Sequence, residues 1–130
     1  MTKYYDPLEA PTPRAWLDMD ESERLQLIED YHRRAHIRLP NVEAHASLHC
    51  IVENQLALGD PIPVRKTLER LMEEGIDRHK AIHAIASVLS EHMVELVRSA
   101  PPHSDPNAPY FAALEKLTVE SLRQTYGFEE

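Results

Sequence analysis

Proline sets the limits on this chain. Ten prolines and only three glycines occur in 130 residues. Nearly all of them fall between, not within, stretches whose apolar residues recur at helical spacing. Proline removes a backbone donor and clashes with the turn before it, so each such position ends or starts an element. None of the intervening stretches alternates apolar and polar residues as a half-buried strand does. The sequence predicts an all-α protein: an irregular bundle of five or six helices with two long histidine-bearing helices packed together.

The punctuation also gives the boundaries. Residues 1–11 read as an irregular N-terminal arm. Thr12-Pro13 opens a short helix over 13–18, since proline is tolerated at the first helical position; it would bury Trp16 and Leu17. Asp20 followed by Glu23 starts a helix over 21–36 with Leu25, Ile28, His32 and Ala35 on one face. Pro40-Asn41 leads into a helix over 42–58, and Gly59-Asp60-Pro61 ends it. A shorter helix over 63–74 closes at Gly75. Asp77 caps a long helix over 78–99 that Pro101-Pro102 stops. Residues 101–109 form a proline-rich linker to a last helix over 110–125, whose Tyr110, Phe111, Leu114, Leu117 and Leu122 suit docking on the bundle or on a partner. At this length the whole of 1–130 is expected to be a single helical domain.

Histidine is the second informative residue. There are eight, and six form pairs at i, i+4 spacing: His32/His36, His45/His49 and His79/His83. Residues so spaced stack on one helix face, roughly 5–6 Å apart at Cβ, which is how two imidazoles can hold one ion. A helix turns by about 100° per residue. With His45 at the origin, Leu48, Ile51, Val52 and Leu56 fill an arc from about 240° to 20°, His49 falls near 40° and Glu53 near 80°. With His79 at the origin, Ile82, Ile85, Ala86, Leu89, Met93 and Val97 fill a matching arc, His83 falls near 40° and Glu91 near 120°. Both helices therefore carry their pair on the same flank of the apolar stripe. Packed together, they would bring four imidazoles and up to two carboxylates to one seam, which the helix of His32 and His36 could close.

The expected metal ligands are thus His32, His36, His45, His49, Glu53, His79, His83 and Glu91. Imidazole suits zinc, iron and nickel, and carboxylate adds charge and hardness. A divalent transition metal is expected, zinc or iron first and nickel next, at a mononuclear or dinuclear centre. The sequence assigns no reaction: the zinc-protease pattern His-Glu-x-x-His is absent, no glycine-rich phosphate loop exists, and no catalytic residue is identified. A metal-dependent enzyme acting on a small molecule fits this pattern. The alternative is a non-enzymatic interaction or adaptor module whose histidines are structural or pH-sensing. Arg78 and Lys80 beside His79 fit either attraction of an anionic ligand or plain helix surface, and Arg33, Arg34 and Arg38 read as a solvated helix face. His92 points away from the seam, His103 lies in the linker, and Cys50 lies off the histidine flank.

Charge and cysteine content narrow the setting. A net charge of −8 and a pI near 5.4 disfavour nucleic acid, whose phosphates attract basic surfaces. Cys50 stands alone, so no internal disulfide can form, which fits a reducing cytoplasm. No secretory signal and no membrane span are expected, and a homodimer is compatible with the sequence.

The run His45-Ala-Ser-Leu-His49-Cys-Ile-Val-Glu53-Asn-Gln55-Leu56, followed by Asp77-Arg-His79-Lys-Ala-Ile-His83 and Ser87-Val-Leu-Ser-Glu91, resembles an uncharacterised bacterial family, the domain of unknown function 1841, over about residues 30–97. The family pattern has His-x3-His, a Glu-Gln, and a second His-x3-His with Glu eight residues on, here Glu91. An upstream His-x3-His corresponds to His32/His36. Asn54 stands where the family has the Glu that precedes Gln. The resemblance implies the histidine constellation and no established activity. His49/Glu53 and His79/His83 are also similar, in order, to two ligand pieces of hemerythrin-like di-iron bundles, whose closing His-x4-Asp is missing here.

Overall fold

The computed structural model describes residues 5–35, 42–59, 63–99 and 107–126. Among them the chain is all-α, with seven helices: α1 (Pro13–Asp18), α2 (Glu21–Arg34), α3 (Val42–Leu58), α4 (Val64–Glu73), α5 (Arg78–Ser99), α6 (Ala108–Lys116) and α7 (Val119–Tyr126). The predicted limits of the first, third and fifth helices match. Most of the predicted linker, along with His36, Arg38 and His103, lies outside the described residues.

The ends of the helices follow from local chemistry. Pro13 occupies the first turn of α1. Gly59 ends α3 at φ 72°, a left-handed conformation that costs glycine little. The Asp77 carboxylate accepts from the Lys80 backbone N–H at 2.8 Å and so caps α5.

The seventh helix arises from a break in the predicted last one. Thr118 and Ser121 bond reciprocally: the Ser121 N–H donates to Thr118 Oγ1 at 3.0 Å, and the Thr118 N–H to Ser121 Oγ at 2.9 Å. This box starts a new helix. Two residues of α4 hold the corner. Arg70 donates to the carbonyls of Leu114 and Leu117 at the end of α6, and Glu74 accepts from the Val119 N–H at the start of α7. Tyr110, Leu114, Leu117 and Leu122 are buried in the core, so this C-terminal unit docks on the bundle.

Helix α3 sits at the centre, packed against α1, α2, α4 and α5. Its apolar residues accordingly serve two cores. Val52 joins the larger core with Leu68, Leu71, Ile82, Ile85 and Leu114. Ala46 and Cys50 join a smaller one with Tyr5, Trp16 and Ile28. Tyr5, from the predicted arm, is thus buried in this smaller core. Trp16 is buried and donates its indole N–H to Asn54 Oδ1 at 2.9 Å, where Arg24 donates at 2.7 Å. Among the described residues, no helix is long and apolar enough to cross a membrane.

Candidate metal centre

Five histidines from three helices meet between these two cores: His32 from α2, His45 and His49 from α3, and His79 and His83 from α5. His32 is the hub. Its ring centroid lies 4.7 Å from His45, 5.3 Å from His49, 5.7 Å from His79 and 6.3 Å from His83. The closest rings are His79 and His83, 4.2 Å apart on successive turns of α5. Tyr31 packs edge-on against His32 and His79 at 5.3 and 5.5 Å, and Tyr5 packs edge-on against His49 at 5.6 Å. The two phenol rings wall one side of the chamber.

The nitrogens are arranged to receive something. His32 Nδ1 lies 2.8 Å from the Ile28 carbonyl. A carbonyl only accepts, so Nδ1 carries the proton and Nε2 presents a lone pair. That Nε2 is buried and has no hydrogen-bond partner among the described residues, and the same holds for both nitrogens of His49 and for Nε2 of His79. One nitrogen each from His32, His79 and His83 lies within 4.8 Å of the other two. Nitrogens sharing a tetrahedral zinc at about 2.05 Å stand about 3.3 Å apart, so small ring movements would bring these three onto one ion. His45 Nε2 and His83 Nε2 are already 3.0 Å apart, close to that separation, with one ring now donating a proton to the other.

Electrostatics favours the neutral, ligating form. Burial lowers His45 and His79 to about 4 and His83 to about 3. It also lowers His32 and takes His49 well below its ordinary value, the neighbouring imidazoles adding to the effect at His49. Neutral imidazole is the form that binds a metal.

The two carboxylates expected as ligands lie elsewhere. Glu53 is buried one turn beyond His49 and is engaged by protein. Arg78 forms two bonds of 2.8 Å to its oxygens, and the Tyr5 hydroxyl donates to Oε2. Arg78, for which the sequence left helix surface or an anion contact open, is 4% exposed and also donates to the Pro7 carbonyl at 2.9 Å. Burial and the adjacent Glu53 carboxylate raise the Tyr5 phenol well above its usual range, so it stays a donor. Glu91 is exposed, two turns past His83, in the lining of a cleft that His45, His49 and His83 also line. His36 lies outside the described residues. The structure thus brings together His32, His45, His49, His79 and His83, but not the two carboxylates. His92 stacks on Tyr110 at 5.5 Å, away from the chamber, and Cys50 is a buried core thiol.

Sequence reasoning did not identify Tyr5, Tyr31 and Arg78 as parts of this region. Tyr31 adjoins His32 in the chain, a visible hint; Tyr5 and Arg78 act across 48 and 25 residues to reach Glu53, and no local signal marks such contacts.

Residues 16–116 match the family described as Domain of unknown function (DUF1841). The chain belongs to this family. The DUF1841 match extends beyond the motif-bearing stretch in both directions, takes in all five clustered histidines with Glu53, Arg78 and Glu91, and leaves Tyr5 outside. No curated protein and no solved structure matches the chain.

Proposed function

We propose that this protein is a metal-binding helical bundle whose centre is formed by His32, His79 and His83, with His45 and His49 as the adjoining imidazoles. One observation carries the reading: the buried Nε2 atoms of His32 and His79, without hydrogen-bond partners among the described residues, converge from separate helices with a nitrogen of His83. A buried polar atom left unpaired costs about 1–3 kcal/mol, and a cation satisfies several at once. Zinc and iron(II) suit this donor set best, and nickel(II) fits it too. An ion held by three neutral imidazoles keeps at least one position for water or another small ligand, which is the requirement for metal-assisted chemistry. The unpaired Cys50 supports a reducing cytoplasm as the setting.

Untagged protein, reconstituted in turn with zinc, iron(II) and nickel and analysed for metal, should carry about one ion per chain. Free metal at about 100 times its dissociation constant should add about 2.7 kcal/mol to the unfolding free energy. His83→Ala should abolish both the binding and the gain. Less than about a tenth of an ion per chain after reconstitution overturns the reading.

The His45–His83 hydrogen bond favours a second reading, since two rings there already satisfy each other. In that case the bundle is an interaction module with a pH-sensing histidine seam. Its melting would follow pH and ignore chelators.

A further inference from the structure

Two layers of helix meet at the chamber. Helices α3, α4, α5 and α6 share the larger core. The other layer is α1 with α2. Arg24 of α2 donates to the Leu17 and Met19 carbonyls at the end of α1, so these two helices form one unit. That unit is lightly held. Trp16 is the buried residue of α1, and Ile28 and His32 are those of α2. Asn54 of α3 adds a polar tie, accepting from Trp16 and Arg24. Half-buried side chains such as Leu25 and Tyr31 supply more of the packing.

Both α2 and α5 pack on α3, but among the described residues they share no extensive interface of their own. Aromatic rings stand between them. His32 faces His79 and His83 at 5.7 and 6.3 Å, and Tyr31 lies edge-on to His79 at 5.5 Å. The unpaired Nε2 atoms of His32 and His79 sit in this seam, and unpaired buried groups weaken the contact that encloses them. An ion shared by His32, His79 and His83 adds bonds across the seam instead. One of the two buried anchors of α2 is thus also a ligand. Resting on the metal reading of the chamber, we propose that the ion is a staple: it holds the α1–α2 unit against α3 and α5, and its loss lets that unit open while the larger core stays folded. Stability differs between parts of one fold, and elements with few buried contacts open first. Opening uncovers the α3 face that carries Ala46 and Cys50, both buried in the smaller core. Metal occupancy then decides whether that face is presented.

Amide hydrogen exchange on the natural chain reads this directly. In metal-free protein the amides of α2 should exchange about tenfold or more faster than the slowest amides of α4 and α6. Free zinc at about 100 times its dissociation constant should slow the α2 amides about a hundredfold. Cys50, the one cysteine of the chain, should be alkylated by iodoacetamide in step with α2, fast without zinc and slowly with it. In His32→Ala, α2 should exchange fast whether or not zinc is present. Metal-free protein in which α2 exchanges no faster than α4 and α6 overturns the staple, because the bundle then opens as one. Zinc that binds without slowing α2 or Cys50 overturns the staple and leaves the metal centre standing. A hundredfold slowing that persists in His32→Ala overturns the role of His32 and with it the staple. Failure to take up zinc, iron or nickel overturns the centre and the staple together.

Discussion

His49 and Glu53 are four residues apart on α3, and each is only 1% exposed, yet their surroundings are opposites. Glu53 is saturated by the two guanidinium bonds of Arg78 and the Tyr5 phenol. His49 has no hydrogen-bond partner on either ring nitrogen among the described residues. The contrast follows from charge. A carboxylate buried without its counter-charge is too costly to persist, whereas an imidazole can be buried by giving up its proton. The chain therefore completes the first assembly from its own side chains and leaves the second with donor atoms in excess. One is a clasp that holds the arm and the start of α5 to α3; the other is a receptor.

Acid should separate them most strongly. In metal-free protein His45 and His79 titrate at about 4 and His83 at about 3, whereas the same groups in the unfolded chain titrate near 6.5. As pH falls, the unfolded chain takes up protons first. Stability is then complete above about pH 6.5 and is lost progressively toward pH 4 and below. Urea unfolding of the metal-free protein at pH 7.5 and 5 should show a clear drop in midpoint; a steady midpoint would mean the imidazoles are already solvated or paired.

Glu53→Ala leaves Arg78 buried without its partner and should cost about 3–5 kcal/mol. Combining Glu53→Leu with Arg78→Met should recover much of this, because an apolar pair of similar size needs no counter-charge. In whatever fraction stays folded, zinc occupancy should be unaffected by Glu53→Ala; a parallel collapse of occupancy would make the two assemblies one. The smallest effect is expected from Tyr5→Phe, which removes a single donor from an already paired carboxylate and should cost about 1.5 kcal/mol. The ring would still cover His49, so metal affinity should not change. A large loss of affinity would assign the phenol oxygen to the receptor instead.

Much of this was legible in the chain. Proline and glycine positions gave the helices because their effects are local. The break at Thr118 was missed because the apolar spacing runs on through it; only the Thr-x-x-Ser box and the side chains of Arg70 and Glu74 mark the corner. The angular argument correctly put His45, His49, His79 and His83 on one flank, but the flank of a stripe is not the flank of a protein. Helix α3 is covered on its histidine side by α2, so an edge position such as His49 became interior. The same argument gave Glu53 a direction without a partner. That partner was decided by Arg78 and Tyr5, whose approach depends on how α5 and the arm close over α3.

The bond from His32 Nδ1 to the Ile28 carbonyl has a consequence for selectivity. It turns electron density, not a hydrogen, toward the middle of the chamber. Phosphate, sulfate or chloride arriving there would meet repulsion from the His32 ring, while an electron-poor species would be drawn in. One backbone oxygen on α2 thereby helps set the sign of what this protein can hold.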